Sequence, residues 1–187
     1  MQCATVLALL RQHAAGVEDP HEAAMTAETI RFVLDHPDCL WQTCVSGHLT
    51  GSAWIVSPDR TRTLLTHHRK LEKWLQLGGH ADGEADLLAV ARREAQEESG
   101  LASVRALADS IFDVDRHWIP PRRNDPGHYH YDLRFAFEAD PAAPLAVSTE
   151  SHDVAWVELT RVSVLNPEES MSRMVRKTGR LGPGAAT

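Results

Sequence analysis

Three glutamates, Glu94, Glu97 and Glu98, are the residues in this sequence best placed to do chemistry. On a helix they stand at i, i+3 and i+4 and share one face within a single turn. Three adjacent carboxylates repel one another, which costs stability at neutral pH unless cations sit among them. Hard divalent ions such as Mg2+ or Mn2+ prefer oxygen donors of this kind. A solvated acidic surface is the plain alternative, and for an isolated EAQEE it is the commoner case. The surroundings argue for chemistry. A helix is expected from Asp86 to Ser99, with Leu87, Leu88, Val90, Ala91 and Ala95 as its docking face. Gly100 suits a left-handed C-cap. A loop over Trp74–Asp82, holding Gly78-Gly79, precedes the helix.

Gly79 and the run Arg93-Glu94-Ala95-Gln96-Glu97-Glu98-Ser99-Gly100-Leu101 resemble the signature of the Nudix hydrolase family, G-x5-E-x7-R-E-U-x-E-E-x-G-U, where U is small or aliphatic. The resemblance extends from about Leu49 to Leu159. It implies an α/β fold, an α/β/α sandwich with a mixed sheet, to which the N-terminal helices are an extension. It also implies roles. Glu94, Glu97 and Glu98 bind divalent ions, Mg2+ or Mn2+, with the Gly79 carbonyl as a further ligand. Arg93 orients the glutamates through charge-assisted hydrogen bonds. Glu97, Glu98 and Arg93 are thereby the catalytic candidates. The ions hold the diphosphate and lower the pKa of an attacking water. One position departs: Ala85 stands where the signature has Glu, flanked by Glu84 and Asp86. In the family that glutamate braces loop and helix through the arginine. Asp86, seven residues before Arg93 and on nearly the same face, could take this role, as could Glu84.

Other groups surround this segment. His80 is a candidate phosphate contact. Trp74 is read as a loop anchor or core residue before a base-stacking one. His128, His130, Asp132 and Arg134 alternate along one face of the clearest strand, His128–Glu138, against Tyr129, Tyr131, Leu133, Phe135 and Phe137. His128, His130 and Arg134 could line a substrate cleft, the arginine meeting phosphate. The two histidines with Asp132 could bind an additional metal. A polar sheet face covered by other structure is the third reading. With Asp115, His117, Ile119 and Pro120 upstream, the pattern is similar to D-x-H-x-I-P…H-x-H-x-D-x-R of a bacterial branch of the family. Glu150 and Asp153 are candidates for the base or an extra metal ligand.

These residues need elements to hold them. Val6, Leu9, Leu10, His13, Ala14 and Val17 mark a first helix, broken at Glu18-Asp19-Pro20. A second carries Ile30, Val33 and Leu34 on one face and stops near His36-Pro37. Leu49–Val56 and Thr61–Thr66 flank Ser57-Pro58-Asp59-Arg60 as a hairpin. Strand-like residues recur at Val104–Val114 and Val154–Leu159, the latter with Trp156 as a core residue. A last helix is expected from Asn166-Pro167 to about Gly179. Domain limits follow: 1–40 as helical extension, 41–180 as the main domain, 181–187 as a mobile tail.

The chain has 187 residues, 43% of them hydrophobic, and a formal charge of −7, which fits one globular domain. A net-acidic surface disfavours general nucleic-acid binding. A small diphosphate substrate is the expected partner, along with a possible homodimer contact. Cys3, Cys39 and Cys44 form neither a disulfide framework nor a zinc pattern. The N-terminal segment reads as neither signal peptide nor membrane span, so a cytoplasmic, membrane-free setting is expected. Two other functions share the fold. An isopentenyl-diphosphate-isomerase-like enzyme would need its own cysteine and glutamate motifs, and Cys39 and Cys44 lie in a plain segment. A ligand-sensing module would need no acids in the helix, and here they are intact.

Overall fold

A computed structural model describes residues 2–121 and 126–182. The proposed mobile tail therefore lies outside the described residues from 183 onward, as does part of the loop after Pro120-Pro121. Contacts divide the chain into two interleaved compact units. One comprises Met1–Ser52, Gly79–Ala91 and Asp109–Phe135; the other comprises Ala53–Gly78, Arg92–Ala108 and Ala136–Thr187. The N-terminal helices belong to the first unit together with later strands.

Helix α1 spans Gln2–Ala14 and helix α2 spans Pro20–Asp35. Asp19 makes the break between them productive. Its carboxylate accepts the His21 and Glu22 amides at 3.0 and 3.1 Å, while Pro20 sits in the first turn where no amide is needed. His13 and Glu22 meet at 2.8 Å and join the two helices. The expected inner face of α2 is partly wrong. Leu34 is 56% exposed, and the buried residues are Glu22, Thr26, Thr29, Phe32 and Val33. Thr26 and Thr29 can be buried because their hydroxyls donate to the Glu22 and Met25 carbonyls, both at 2.8 Å. Phe32 stacks on Tyr131 with ring centres 3.9 Å apart.

Strand β1 runs over Gly47–Val56 and is buried along its whole length. A turn over residues 57–61, with Arg60 at φ 59°, leads into β2, Arg62–His68. Within the second unit β2 pairs antiparallel with β1 (Ile55 opposite Leu64) and with β3, Lys73–Leu75. After β4, Leu77–His80, comes α3, Leu87–Ser99. The segment expected as a loop over 74–82 is thus mostly strand. Trp74 is drawn into the ladder opposite His67, and their rings stack at 5.2 Å. Its carbonyl accepts the Asn166 side-chain amide at 2.9 Å, as suits an anchor.

Strands β5, Arg105–Ala106, and β6, Asp113–Ile119, both pair antiparallel with β7, His128–Glu138. The Tyr129 amide donates to the Ser46 carbonyl at one end of β7, and the Ala139 amide to the Val56 carbonyl at the other. Strands β1 and β7 therefore run in the same direction, and the sheet is mixed, in strand order β3-β2-β1-β7-β5. Strand β8, Ser151–Glu158, pairs with β2. Trp156 in it is half-buried. A 3-10 turn at Leu159–Arg161 precedes α4, Val162–Leu165, and α5, Glu169–Thr178. Asn166 ends α4, and its side chain accepts the Glu168 amide at 3.0 Å, so the last helix starts three residues later than Asn166 suggests. No described helix is long and apolar enough to cross a membrane.

Two glycines set the place of α3. A Cβ on Gly51 would stand 2.7 Å from the Leu87 carbonyl oxygen and 3.1 Å from Val90 Cγ1, so only glycine lets the helix start approach β1 this closely. Gly100 closes the helix at φ +72°, against Ala146. Gly51→Ala is expected to lower unfolding stability by about 1–3 kcal/mol, seen in urea as a reduced midpoint with unchanged slope.

Candidate active site

Helix α3 is started by residues next to the replaced signature glutamate. The Asp86 carboxylate accepts the Ala89 amide at 3.0 Å, a side-chain N-cap, and Glu84 accepts the Asp86 amide at 2.8 Å. Asp86 thus serves the first turn of the helix and Glu84 the residue just before it, and neither takes the bracing of Arg93 that the sequence left open to them. Arg93 instead meets Glu94 at 2.7 Å and Glu97 at 3.5 Å. It pairs with two of the three glutamates from a half-exposed position.

The spacing of the buried residues Leu87, Val90, Ala91, Ala95 and Ser99 fixes where the acids point. Glu94 and Glu98 border that stripe, and Glu98 is only 8% exposed; the Glu97 side chain is 60% exposed. The Glu98 carboxylate accepts the Gly78 amide at 3.0 Å. Burial pushes its pKa up to about 7, against the pull of that amide and helped by the charges of Glu94, Glu150 and Glu97. Burial raises Glu94 too, with Arg93 opposing and Glu97 and Glu150 adding to the rise. The Glu150 charge therefore acts on both inner glutamates. Asp153 differs: its carboxylate accepts the amide of the next residue, Val154, at 2.8 Å. Of the two late acids, Glu150 belongs to this cluster. Arg69, which the sequence did not single out, stands beside it, its amide on the Glu150 carbonyl and its guanidinium on the Ser151 carbonyl.

The other candidates gather in the first unit, on one face of a strand ladder. Strand β7 presents His128, His130, Asp132 and Arg134; β6 sets His117 opposite His130, Asp115 opposite Asp132 and Asp113 opposite Arg134. Arg134 was expected to meet phosphate, and the structure gives it other partners. It is 3% exposed, with Nε on Asp132 at 2.8 Å, Nη1 on Asp113 at 3.1 Å and Nη2 on Asp115 at 3.4 Å. Asp132 is equally engaged, accepting the Thr50 and Ser52 hydroxyls from β1 at 2.8 and 2.7 Å. Burial pushes the Asp132 carboxyl up, but Arg134, His117 and the hydrogen bonds outweigh it and hold it below the usual range. Asp132 as a metal ligand is likewise set aside, because it belongs to a buried ion network.

The histidines converge at the end of this ladder. His130 Nε2 lies 3.3 Å from His80 Nε2 and 3.2 Å from His128 Nε2. The His48 ring centre is 4.8–4.9 Å from those of His80, His128 and His130. His117 lies 5.3 Å from His130. Burial, then His117, His80, His48 and His128, push His130 down to about 2, so it is neutral. His48 escaped the sequence reading. Its signal was the alternation His48, Thr50, Ser52 in β1, hidden because every residue of that strand is buried.

The oxygen-only set on α3 with Glu150 fits hard divalent ions, since its own cations leave the inner carboxylates short of positive charge. Comparison with known proteins bears on the family and the fold. A model of the NUDIX domain matches residues 48–177. No curated protein gives a significant match. Among solved structures, a C. elegans Ap4A hydrolase superposes with TM-score 0.56 at 15% identity, covering 71% of this chain and 95% of that one. A Nudix-family hydrolase from Clostridium perfringens gives 0.53 at 23%, covering 72% and 98%. The E. coli dihydroneopterin triphosphate pyrophosphohydrolase gives 0.54 at 14%, covering 69% and 92%. These likenesses establish the fold, and the domain match over most of the chain establishes the family: the protein belongs to the Nudix family of pyrophosphohydrolases.

Proposed function

We propose that the protein hydrolyses the diphosphate linkage of a nucleoside diphosphate derivative or a similar small organic diphosphate, with Mg2+ or Mn2+ held by Glu94, Glu97 and Glu98. The observation that carries this is the burial of Glu98, 8% exposed, on one helical turn with Glu94 and Glu97, where burial and the neighbouring carboxylates raise its pKa. A carboxylate so destabilised gains most from a bound cation. Glu98 is aimed by the Gly78 amide and Glu94 by Arg93; the Gly79 carbonyl, next in the chain, is the backbone ligand we assign. The chemistry a divalent ion held by these residues would supply is offset of charge on the diphosphate and a lowered pKa for a water. Glu150 is the preferred candidate for holding the water's proton, since its charge reaches Glu94 and Glu98. The neighbours' named substrates, Ap4A and dihydroneopterin triphosphate, are both small phosphoanhydrides, which supports the class without selecting within it.

Release of phosphate or monophosphate from a panel of diphosphate compounds with Mg2+ or Mn2+ tests this reading. Turnover of at least one compound is expected, and Glu97→Gln or Glu98→Gln should lower it by about two orders of magnitude or more while circular dichroism stays unchanged. Metal binding without turnover across the panel would favour a ligand sensor.

A stability prediction follows from Glu98 alone. Its folded pKa, about 7, lies above the ordinary 4.5, so the folded state retains a proton there that the unfolded state gives up. The resulting stabilisation is complete below about pH 4.5 and is lost as pH rises through about 7. Glu98→Gln keeps an acceptor for the Gly78 amide and never ionises. Metal-free Glu98→Gln should therefore melt higher than the parent at pH 8, and the difference should vanish near pH 4, by scanning calorimetry at both pH values.

A further inference from the structure

Five histidines from four strands meet in the first unit: His48 from β1, His80 from β4, His117 from β6, and His128 and His130 from β7. Nothing in the carboxylate chemistry requires them. Ligand atoms of His48, His128 and His130 all lie within 4.8 Å of one another. We propose that these three residues, with His80 as a fourth ligand, form a binding site for a late first-row transition-metal dication, Zn2+ being the representative ion.

The spacing is the first argument. Nitrogens at about 2.0–2.1 Å from a tetrahedral Zn2+ stand about 3.3–3.4 Å from each other. The Nε2 atoms of His80 and His130 are 3.3 Å apart, and those of His128 and His130 are 3.2 Å apart. Proton accounting is the second. His128 Nδ1 faces the Pro126 carbonyl at 2.9 Å, which makes Nδ1 the N–H and leaves a lone pair on Nε2. A backbone carbonyl in this position is the usual orienting partner of a metal-bound imidazole. The contact from His128 to His130 then needs the hydrogen on His130 Nε2. The same hydrogen must also serve the His80 contact, whereas a dication accepts all three lone pairs. Donor type is the third argument. Imidazole nitrogens without thiolate or carboxylate select Zn2+, Co2+, Ni2+ or Cu2+ over Mg2+. Asp132, the nearest carboxylate along β7, is taken by Thr50, Ser52 and Arg134. His48 and His128 are buried, at 3% and 8% exposure, so an ion here would be largely enclosed.

Cobalt titration tests the site in full-length protein carrying Glu97→Gln and Glu98→Gln, which disables the carboxylate centre. One Co2+ per chain is expected, with the intense visible absorption of a four-coordinate nitrogen site, displaced by equimolar Zn2+ and not by excess Mg2+. Adding His130→Gln should weaken binding by more than about 100-fold, beyond the 10- to 100-fold that losing an outer hydrogen-bond partner costs. His128→Gln gives the same reading should His130→Gln fail to fold. Absence of Co2+ binding, the faint spectrum of a six-coordinate oxygen site, or undiminished affinity in the folded histidine variant would each overturn the proposal. Because the glutamates are already disabled, the result is independent of whether the protein hydrolyses a diphosphate.

Discussion

Electrostatic crowding on one turn of α3 is the constraint from which the functional half of this structure follows. Glu94 and Glu98 border the helix's buried stripe, where water cannot screen them well, and Arg93 engages Glu94 and Glu97 from a half-exposed position. The Gly78 amide partly compensates Glu98 but does not prevent burial and neighbouring charges from raising its pKa. Such an arrangement costs stability, and a hard cation among the acids would offset that cost. The close approach permitted by Gly51 and the cap made by Asp86 fix the start of the helix that carries these acids.

Much of this was readable from residue order, because the relevant physics is local. Helix periodicity placed Glu94, Glu97 and Glu98 on one turn, Gly100 marked the stop, and the alternation from Tyr129 to Phe137 marked β7 with its observed ends. Glu18-Asp19-Pro20 marked the break between α1 and α2. What could not be read depended on partners distant in sequence. Lys73–Leu75 is a strand because β2 offers it a ladder, not because of its own propensity. Phe32 displaced Leu34 from the inner face of α2 because Tyr131 is there to stack on.

The polar face of β7 shows the same limit most clearly. From sequence, His128, His130, Asp132 and Arg134 were one row with one set of possible roles. Register against β6 and neighbours on β1 split the row in two. Asp132 and Arg134 face acids and hydroxyls and become a satisfied buried network. His128 and His130 face other imidazoles. The Ala85 departure was likewise ambiguous until the structure showed Asp86 and Glu84 bound to backbone amides at the helix start.

The forked guanidinium of Arg134 has a consequence for how firmly the strands are indexed. A one-residue slip of β6 along β7 would send alternate side chains to the opposite side of the sheet. It would also pull Asp113 and Asp115 off Arg134 and leave a buried cation short of counter-charge. The fork thus acts as a detent on the pairing, and His117 opposite His130 inherits its alignment from a contact four residues along the same strand. The register on which His117, His128 and His130 sit is in this way held by the protein's own charges, without help from a guest.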